Sequence, residues 1–218
     1  MYNKSEIEQK IAEFLLQIKA IKLQPTNPFT WASGLKSPIY CDNRITLSHP
    51  SIRTYIRQKL AELVQEEFGS ASVIAGVATA GIPQGALVAQ ELGLPFIYVR
   101  SKAKEHGTQS LIEGEINPGQ RVIVIEDLIS TGKSSIQAIH ALRDAGYEVA
   151  GLVAIFSYGL DVAIKNFADA KCRFSTLSNY SALIEYAAEH HFIQKEDVDV
   201  LNEWRKSPEG WSSQIESK

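Results

Sequence analysis

The sequence predicts an α/β fold, with a parallel sheet covered by helices on both faces. Two observations carry this prediction. Short apolar runs such as Val73-Ile74-Ala75-Gly76-Val77 and Val122-Ile123-Val124-Ile125 recur along the chain. A strand buried on both faces has no need to alternate apolar with polar residues. Between these runs lie segments with helical spacing that stop at glycines, and alternating strands and helices are the mark of a parallel sheet. The 218 residues, 44% of them apolar, suffice for one such domain.

Taken in order, the elements are these. Ile7, Ile11, Leu15 and Ile18 recur at helical spacing, and Ser5 with Glu8 forms a capping-box pattern. Pro25 and Pro28 break the chain, and an aromatic and polar stretch runs from Phe29 to Arg44. A second helix is expected from near Pro50 through Ile52, Ile56, Leu60 and Leu63 to Gly69. The strand Val73 to Val77 precedes a helix from Pro83 to Leu92 stopped by Gly93, and Phe96 to Val99 is another strand. Residues 101–118 are polar, carry Gly107 and Gly114 and show no periodicity, which in a compact domain marks a functional or disordered loop; the cations near its start, Arg100, Lys102, Lys104 and His106, read on charge alone equally well as a solvated basic turn. The clearest strand, Arg121 to Ile125, leads to a helix from about Lys133 to Ala145. Strands at Val149 to Phe156 and Cys172 to Leu177 follow, and the last quarter, with Leu183, Ile184, Leu201 and Trp204, reads as helical. One domain over residues 1–218 is expected, with residues 1–48 as an N-terminal elaboration.

Composition narrows the function. A net charge of -3 gives no footprint for nucleic acid. Cys41 and Cys172 are far apart and lack metal-ligand spacing, which fits a reducing compartment. The charged start of the chain is unlike a signal peptide, and no apolar run has membrane-spanning length. A cytoplasmic protein with a small, water-soluble substrate is expected, with neither nucleic acid nor membrane as partner.

The chemistry is concentrated in one stretch, Val122 to Ser134. An apolar strand runs into Glu126 and Asp127, a turn bearing Ser130, Thr131 and Gly132 follows, and a helix begins at Lys133. Ligands of parallel sheets bind beyond the carboxyl ends of strands. Unpaired amides at a helix N-terminus favour an anion, hydroxyls at Thr131 and Ser134 add donors, and Gly132 lets the backbone approach closely. Carboxylates repel phosphate but accept hydrogen bonds from a sugar diol, or hold Mg²⁺ through water. Diol acceptors beside phosphate donors suit a phosphorylated ribose. Gly132-Lys133-Ser134 also resembles the end of a nucleotide-binding P-loop, but that motif needs a glycine where this chain has Asp127. Read merely as structure, the two acids would cap a helix, an odd role for neighbouring carboxylates closing an apolar strand.

The Glu126–Ser134 stretch resembles the ribose-phosphate signature of the type I phosphoribosyltransferases. Two further stretches resemble the orotate-specific branch of that family: Phe29 to Tyr40, like its N-terminal hood, and Arg100 to Gly107, like its mobile catalytic loop. The resemblance implies a twisted, mainly parallel sheet of about five strands with helices on both faces, plus a small hood. It implies an Mg²⁺-dependent transfer of ribose 5-phosphate from phosphoribosyl diphosphate to orotate, in a homodimer whose loops reach into the partner's site. Glu126 and Asp127 would hold the ribose hydroxyls. The turn around Leu128, Ile129, Ser130, Thr131, Gly132, Lys133 and Ser134 would hold the 5-phosphate. The turn Ala78 to Gly81 would face the diphosphate, with Arg100, Lys104 and His106 closing over it. Lys104, His106 and Asp127 are the implied catalytic residues, and Lys36, Tyr40 and Ser130 the orotate-facing ones. No direct protein ligand for the metal is assigned, since Mg²⁺ would be held mainly by the substrate with Glu126 and Asp127 nearby. Some relatives carry lysine where this chain has Ala32 and Ser101, and a tyrosine-lysine pair in place of Thr79-Ala80; Lys36, Lys102 or Arg44 would then replace that charge. Tyr158, at the end of a late strand, is expected in the core or at the rim and is a minor candidate for the orotate site. Two alternatives stand beside this reading: transfer to another base, or a ligand-sensing regulator on the same fold.

Overall fold

The computed structural model describes residues 3–31, 33–102, 111–115 and 117–216. Helix α1 (Lys4–Gln17) leads to β1 (Ile21–Leu23), the strands β2 (Phe29–Thr30) and β3 (Lys36–Ser37), then β4 (Ile39–Cys41) and a 3-10 segment (Asn43–Ser48). Helix α2 (Pro50–Phe68), β5 (Val73–Val77), α3 (Gly81–Leu92), β6 (Phe96–Val99) and β7 (Ile112–Glu113) follow. Next come β8 (Arg121–Ile129), α4 (Lys133–Asp144), β9 (Glu148–Ser157), α5 (Asp161–Asp169) and β10 (Phe174–Asn179). Three helices, α6 (Tyr180–Glu189), α7 (Asp197–Lys206) and α8 (Pro208–Glu216), complete the described chain.

The central sheet has the order β10-β9-β8-β5-β6-β7, parallel throughout except for the antiparallel β6–β7 pair. The sixth strand, β7, is two residues long and lies in the stretch without sequence periodicity; two residues are too few to leave a pattern. Both faces of the sheet are buried, as the unalternated runs predict. Ile123, Ile125, Val153 and Ile155 point into one apolar cluster with Ile11 and Leu15 of α1 and Leu60 of α2. Val122, Val124, Leu152 and Ala154 point into another with Ile139 and Leu142 of α4. This period of two within continuous apolar runs is what a strand sandwiched between helix layers requires.

Two expectations are corrected. The N-cap of α1 is Asn3, whose side chain accepts from the Glu6 amide at 3.4 Å. Glu8 serves elsewhere: its Oε1 accepts from Asn179 at 3.1 Å, so the Ser5–Glu8 pattern is not the cap. Strand β8 does not stop at Ile125. It runs through Glu126 and Asp127 to Ile129, because the long β9 continues beside it and pairs Leu128 with Phe156 and Ile129 with Ser157. The acids therefore sit on a rigid ladder.

Close approach of α3 to the sheet depends on glycine. A Cβ at Gly81 would lie 2.5 Å from the Ile125 carbonyl, and one at Gly76 would lie 2.8 Å from the Gly81 carbonyl. The turn from β5 into α3 is thereby pressed against the strand that carries the acids. Among the described residues, no helix is long and apolar enough to cross a membrane.

Candidate active site

Glu126 and Asp127 lie where β8 outruns its neighbour. Strand β5 pairs with β8 only through Gly76 opposite Ile125. The Asp127 carbonyl is bonded instead by Asn43 Nδ2, at 2.7 Å. Asn43 is fully buried at the start of the 3-10 segment, and its carbonyl accepts from Thr46 Oγ1 at 2.6 Å. Thr46 in turn accepts from Gln84 Nε2 of α3 at 3.2 Å. A buried polar chain thus joins the segment after the hood, the acid-bearing strand and the helix behind the Ala78–Gly81 turn. Sequence reasoning missed all three residues, and Asn43 meets the Asp127 carbonyl across 84 positions of sequence.

The acids are electrostatically strained. Glu126 is 5% exposed, and burial first, then Asp127, pushes its carboxyl well above the usual carboxylate range. Hydroxyls of Ser134 and Ser135 donate to its Oε2 at 3.4 and 3.3 Å, and the Asp127 amide donates to its Oε1 at 3.1 Å. Burial also raises Asp127, opposed by a hydrogen bond from Glu126, by backbone amides and by the charge of Arg44. Two like charges side by side in a poorly solvated place resist joint ionisation, so the pair is ready to share a proton or to accept a cation or hydroxyl donors.

Beyond the acids the chain builds an anion cradle. Ile129 is buried and its carbonyl accepts from the Tyr158 amide, which fixes the strand end beneath the turn. Leu128 is half-buried on the same ladder. Gly132 adopts φ +75, and a Cβ there would also meet the Phe167 ring at 2.8 Å, so glycine is required twice over. The first helical hydrogen bond of α4 runs from Ile136 to Gly132. The amides of Lys133, Ser134 and Ser135 ahead of it have no intrahelical partner and carry the positive end of the helix dipole. The Thr131 carbonyl is held by Asn166 of α5 at 2.9 Å. Ser130 is half-buried, while Thr131, Lys133 and Ser134 are exposed.

The remaining predicted parts are placed unequally. A cavity of about 390 Å³ gathers Ala78, Arg100, Ser101 and Ser134 around one space. Arg100 is ion-paired there with Glu113 at 3.3 Å. Lys104 and His106 lie outside the described residues, as does Ala32. Tyr40 is 41% exposed and packs on Phe29 at 5.7 Å. Lys36 turns its ammonium to Thr30 across the hood hairpin, at 2.9 Å. Arg44 makes a two-pronged pair with Asp42, at 2.6 and 2.8 Å, so much of its charge is already matched; Lys102 is exposed. Tyr158 is 2% exposed and belongs to the core, stacked on Trp31 at 5.6 Å and edge-on to Trp204 at 5.7 Å.

The donor set also bears on a metal. Among the described residues no three His, Cys, Asp or Glu side chains gather as a ligand cage. Two adjacent carboxylates fit Mg²⁺, which keeps several waters and is bound through one or two carboxylates plus substrate oxygens.

These features have close counterparts. Residues 45–189 match the family model described as "Phosphoribosyl transferase domain". The orotate phosphoribosyltransferase of Phocaeicola vulgatus is 58% identical over 207 residues, covering 95% of this chain and 98% of the relative. That of Listeria innocua is 55% identical over 205 residues, covering 94% and 98%. The solved orotate phosphoribosyltransferase of Aeropyrum pernix superposes with a TM-score of 0.73 at 29% identity, covering 84% of this chain and 99% of that one. With strand, acid pair and cradle in the arrangement that the ribose-phosphate signature requires, this chain belongs to the phosphoribosyltransferase family, in its orotate phosphoribosyltransferase branch.

Proposed function

We propose that the chain transfers ribose 5-phosphate from phosphoribosyl diphosphate to orotate, giving orotidine 5'-phosphate and diphosphate in pyrimidine biosynthesis, with Mg²⁺ and as a cytoplasmic homodimer. The observation that carries the reading is the Glu126–Asp127 pair, held on a rigid strand immediately before the N-terminal cradle of α4. Identity above 50% to named orotate phosphoribosyltransferases supports the choice of base.

The residues divide the work. The Ser130–Ser134 turn and the free amides of α4 bind the 5-phosphate and anchor the sugar. Asp127 and Glu126 accept from the ribose hydroxyls and fix the anomeric carbon. As the bond to diphosphate breaks, positive charge grows on the ribose and negative charge on the leaving group. The nearby carboxylates favour the first change. Arg100, released from Glu113, and the loop cations Lys104 and His106 favour the second. Glu126 and Asp127 lie near where Mg²⁺ would be held, mainly by the substrate, and the ion would supply charge neutralisation for the diphosphate. Asp127 is the candidate to accept the N1 proton of orotate. Lys36, Tyr40 and Ser130 are the residues proposed to face the base.

The test is an absorbance assay of orotate consumption with phosphoribosyl diphosphate and Mg²⁺, with uracil, adenine and hypoxanthine in parallel and with a chelator control. Loss of orotate alone, abolished by chelation, is the expected result. Consumption of another base would overturn the reading of the hood. Binding of phosphoribosyl diphosphate without turnover of any base would favour a sensor. Light scattering reads the mass of the assembly, expected at twice that of the chain.

A further inference from the structure

The C-terminal helices reach the hood. The Lys36 amide donates to Ser212 Oγ of α8 at 2.9 Å, and Ser212 is 3% exposed. Helix α8 packs on β3, and Trp211 beside Ser212 is buried. Trp204 of α7 is fully buried, edge-on to Trp31 of the hood at 5.8 Å and to Tyr158 at 5.7 Å. Trp31 in turn donates to the Ile39 carbonyl at 3.2 Å. The hood hairpin itself contributes little: β2 and β3 pair over only two residues each. Below it lies a cavity of about 370 Å³ bordered by Trp31, Leu35, Thr131, Arg205 and Pro208. An isolated two-residue ladder above a cavity does not hold its own position. The C-terminal helices meet the hood at two points, the Ser212 hydrogen bond and the Trp31–Tyr158–Trp204 stack.

We infer that helices α7 and α8 act as a strut that sets the height of the hood over the base site, with Ser212 as a positioning residue for Lys36. The inference rests on the reading that the hood faces orotate. The Ser212 contact touches neither the acid pair nor the α4 cradle, whereas the stack meets Tyr158, whose amide bonds the Ile129 carbonyl at the strand end, so loss of the Ser212 contact acts on the base more than on the sugar phosphate. The side-chain hydroxyl is the working part. Alanine leaves the Lys36 amide without its partner, whereas threonine keeps the oxygen.

The experiment compares Ser212→Ala, Ser212→Thr and Trp204→Phe with wild type, measuring KM for each substrate separately. Loss of one hydrogen bond from a positioning contact corresponds to about a 3- to 10-fold rise in the orotate KM. The KM for phosphoribosyl diphosphate is expected to change by less than about twofold, and threonine to restore most of the loss. Equal rises in both KM values, or no change in either, would overturn the proposal. A second readout does not depend on turnover. All three tryptophans of the chain, Trp31, Trp204 and Trp211, lie at this junction. Orotate binding is expected to shift tryptophan emission, after correction for orotate absorbance, with weaker apparent binding in Ser212→Ala. If wild type neither binds nor consumes orotate, the reading of the base has failed. If wild type uses orotate and its emission is unmoved by it, the strut has failed while the base assignment stands.

Discussion

Replacing Gly81 with alanine separates placement of the reacting groups from stability. A Cβ at this position would sit 2.5 Å from the Ile125 carbonyl and 3.3 Å from the Glu126 Cα, both backbone atoms of β8. Ordinary contact begins near 3.4 Å, so the Ala78–Gly81 turn and the strand must part by about 0.9 Å. Neither side yields easily: β8 is paired on both edges at Ile125, and α3 is packed on β5. Overpacking of this kind costs about 1–3 kcal/mol. A shift of about 1 Å between groups that must act together costs about 10²-fold in rate. Gly81→Ala is therefore expected to lower turnover about 10²-fold in the orotate absorbance assay while unfolding at moderately lower urea concentration. Gly85→Ala on the same helix is the control. Its Cβ would meet the half-buried Phe96 ring at 2.7 Å and the Gly76 Cα at 3.2 Å, away from the acids. It should lose similar stability yet keep turnover within about threefold. Equal loss of turnover in the two variants, or retention of turnover by Gly81→Ala, would refute the argument that the turn and the acid strand are held in register by backbone contact.

Three other outcomes follow from the site. The raised Glu126 carboxyl binds its proton more tightly in the folded chain than in the unfolded one, so stability from this group is full below its ordinary value of 4.5 and is lost as pH rises through the elevated native value. Glu126→Gln keeps the shape without the titration, and its stability relative to wild type should improve as pH rises above 4.5; a stability difference from wild type that does not change with pH, read from urea-unfolding curves, would contradict this. Asn43→Ala orphans the Asp127 carbonyl and should cost about 1–3 kcal/mol of stability while raising the KM for phosphoribosyl diphosphate, both measurable on one preparation. Lys104→Ala should lower turnover about 10²–10³-fold with little change in folding stability, and unchanged turnover would remove this residue from the mechanism.

Legibility varied with the range of the forces involved. Strands β5 and β6 were readable to the residue, because uninterrupted apolar runs bounded by turn residues have no competing interpretation. The acid pair and the cradle were readable because their chemistry lies within nine consecutive residues, Glu126 to Ser134. The true end of β8 was not readable, since it is set by β9, whose ladder extends past Glu126. The cap at Asn3 was missed for a related reason: Glu8 is drawn away by Asn179, a partner 171 residues distant. The buried chain of Asn43, Thr46 and Gln84 left no local trace, because each residue alone looks like an ordinary polar turn or helix position. Tyr158 illustrates the opposite case. Its place at the end of β9 allowed a ligand role, and the packing of Trp31 and Trp204 around it decided for the core.

The family match ends at residues 45 and 189, yet the segments on either side of it meet through Lys36 and Ser212 and through Trp31 and Trp204. The hood and the C-terminal helices thus form a unit continuous in space and split in sequence. Recombination between relatives at a single crossover would separate its halves, bringing a hood from one parent onto helices from the other. On the proposed role of the hood, a transplant of base preference onto another sugar-phosphate core must carry both ends.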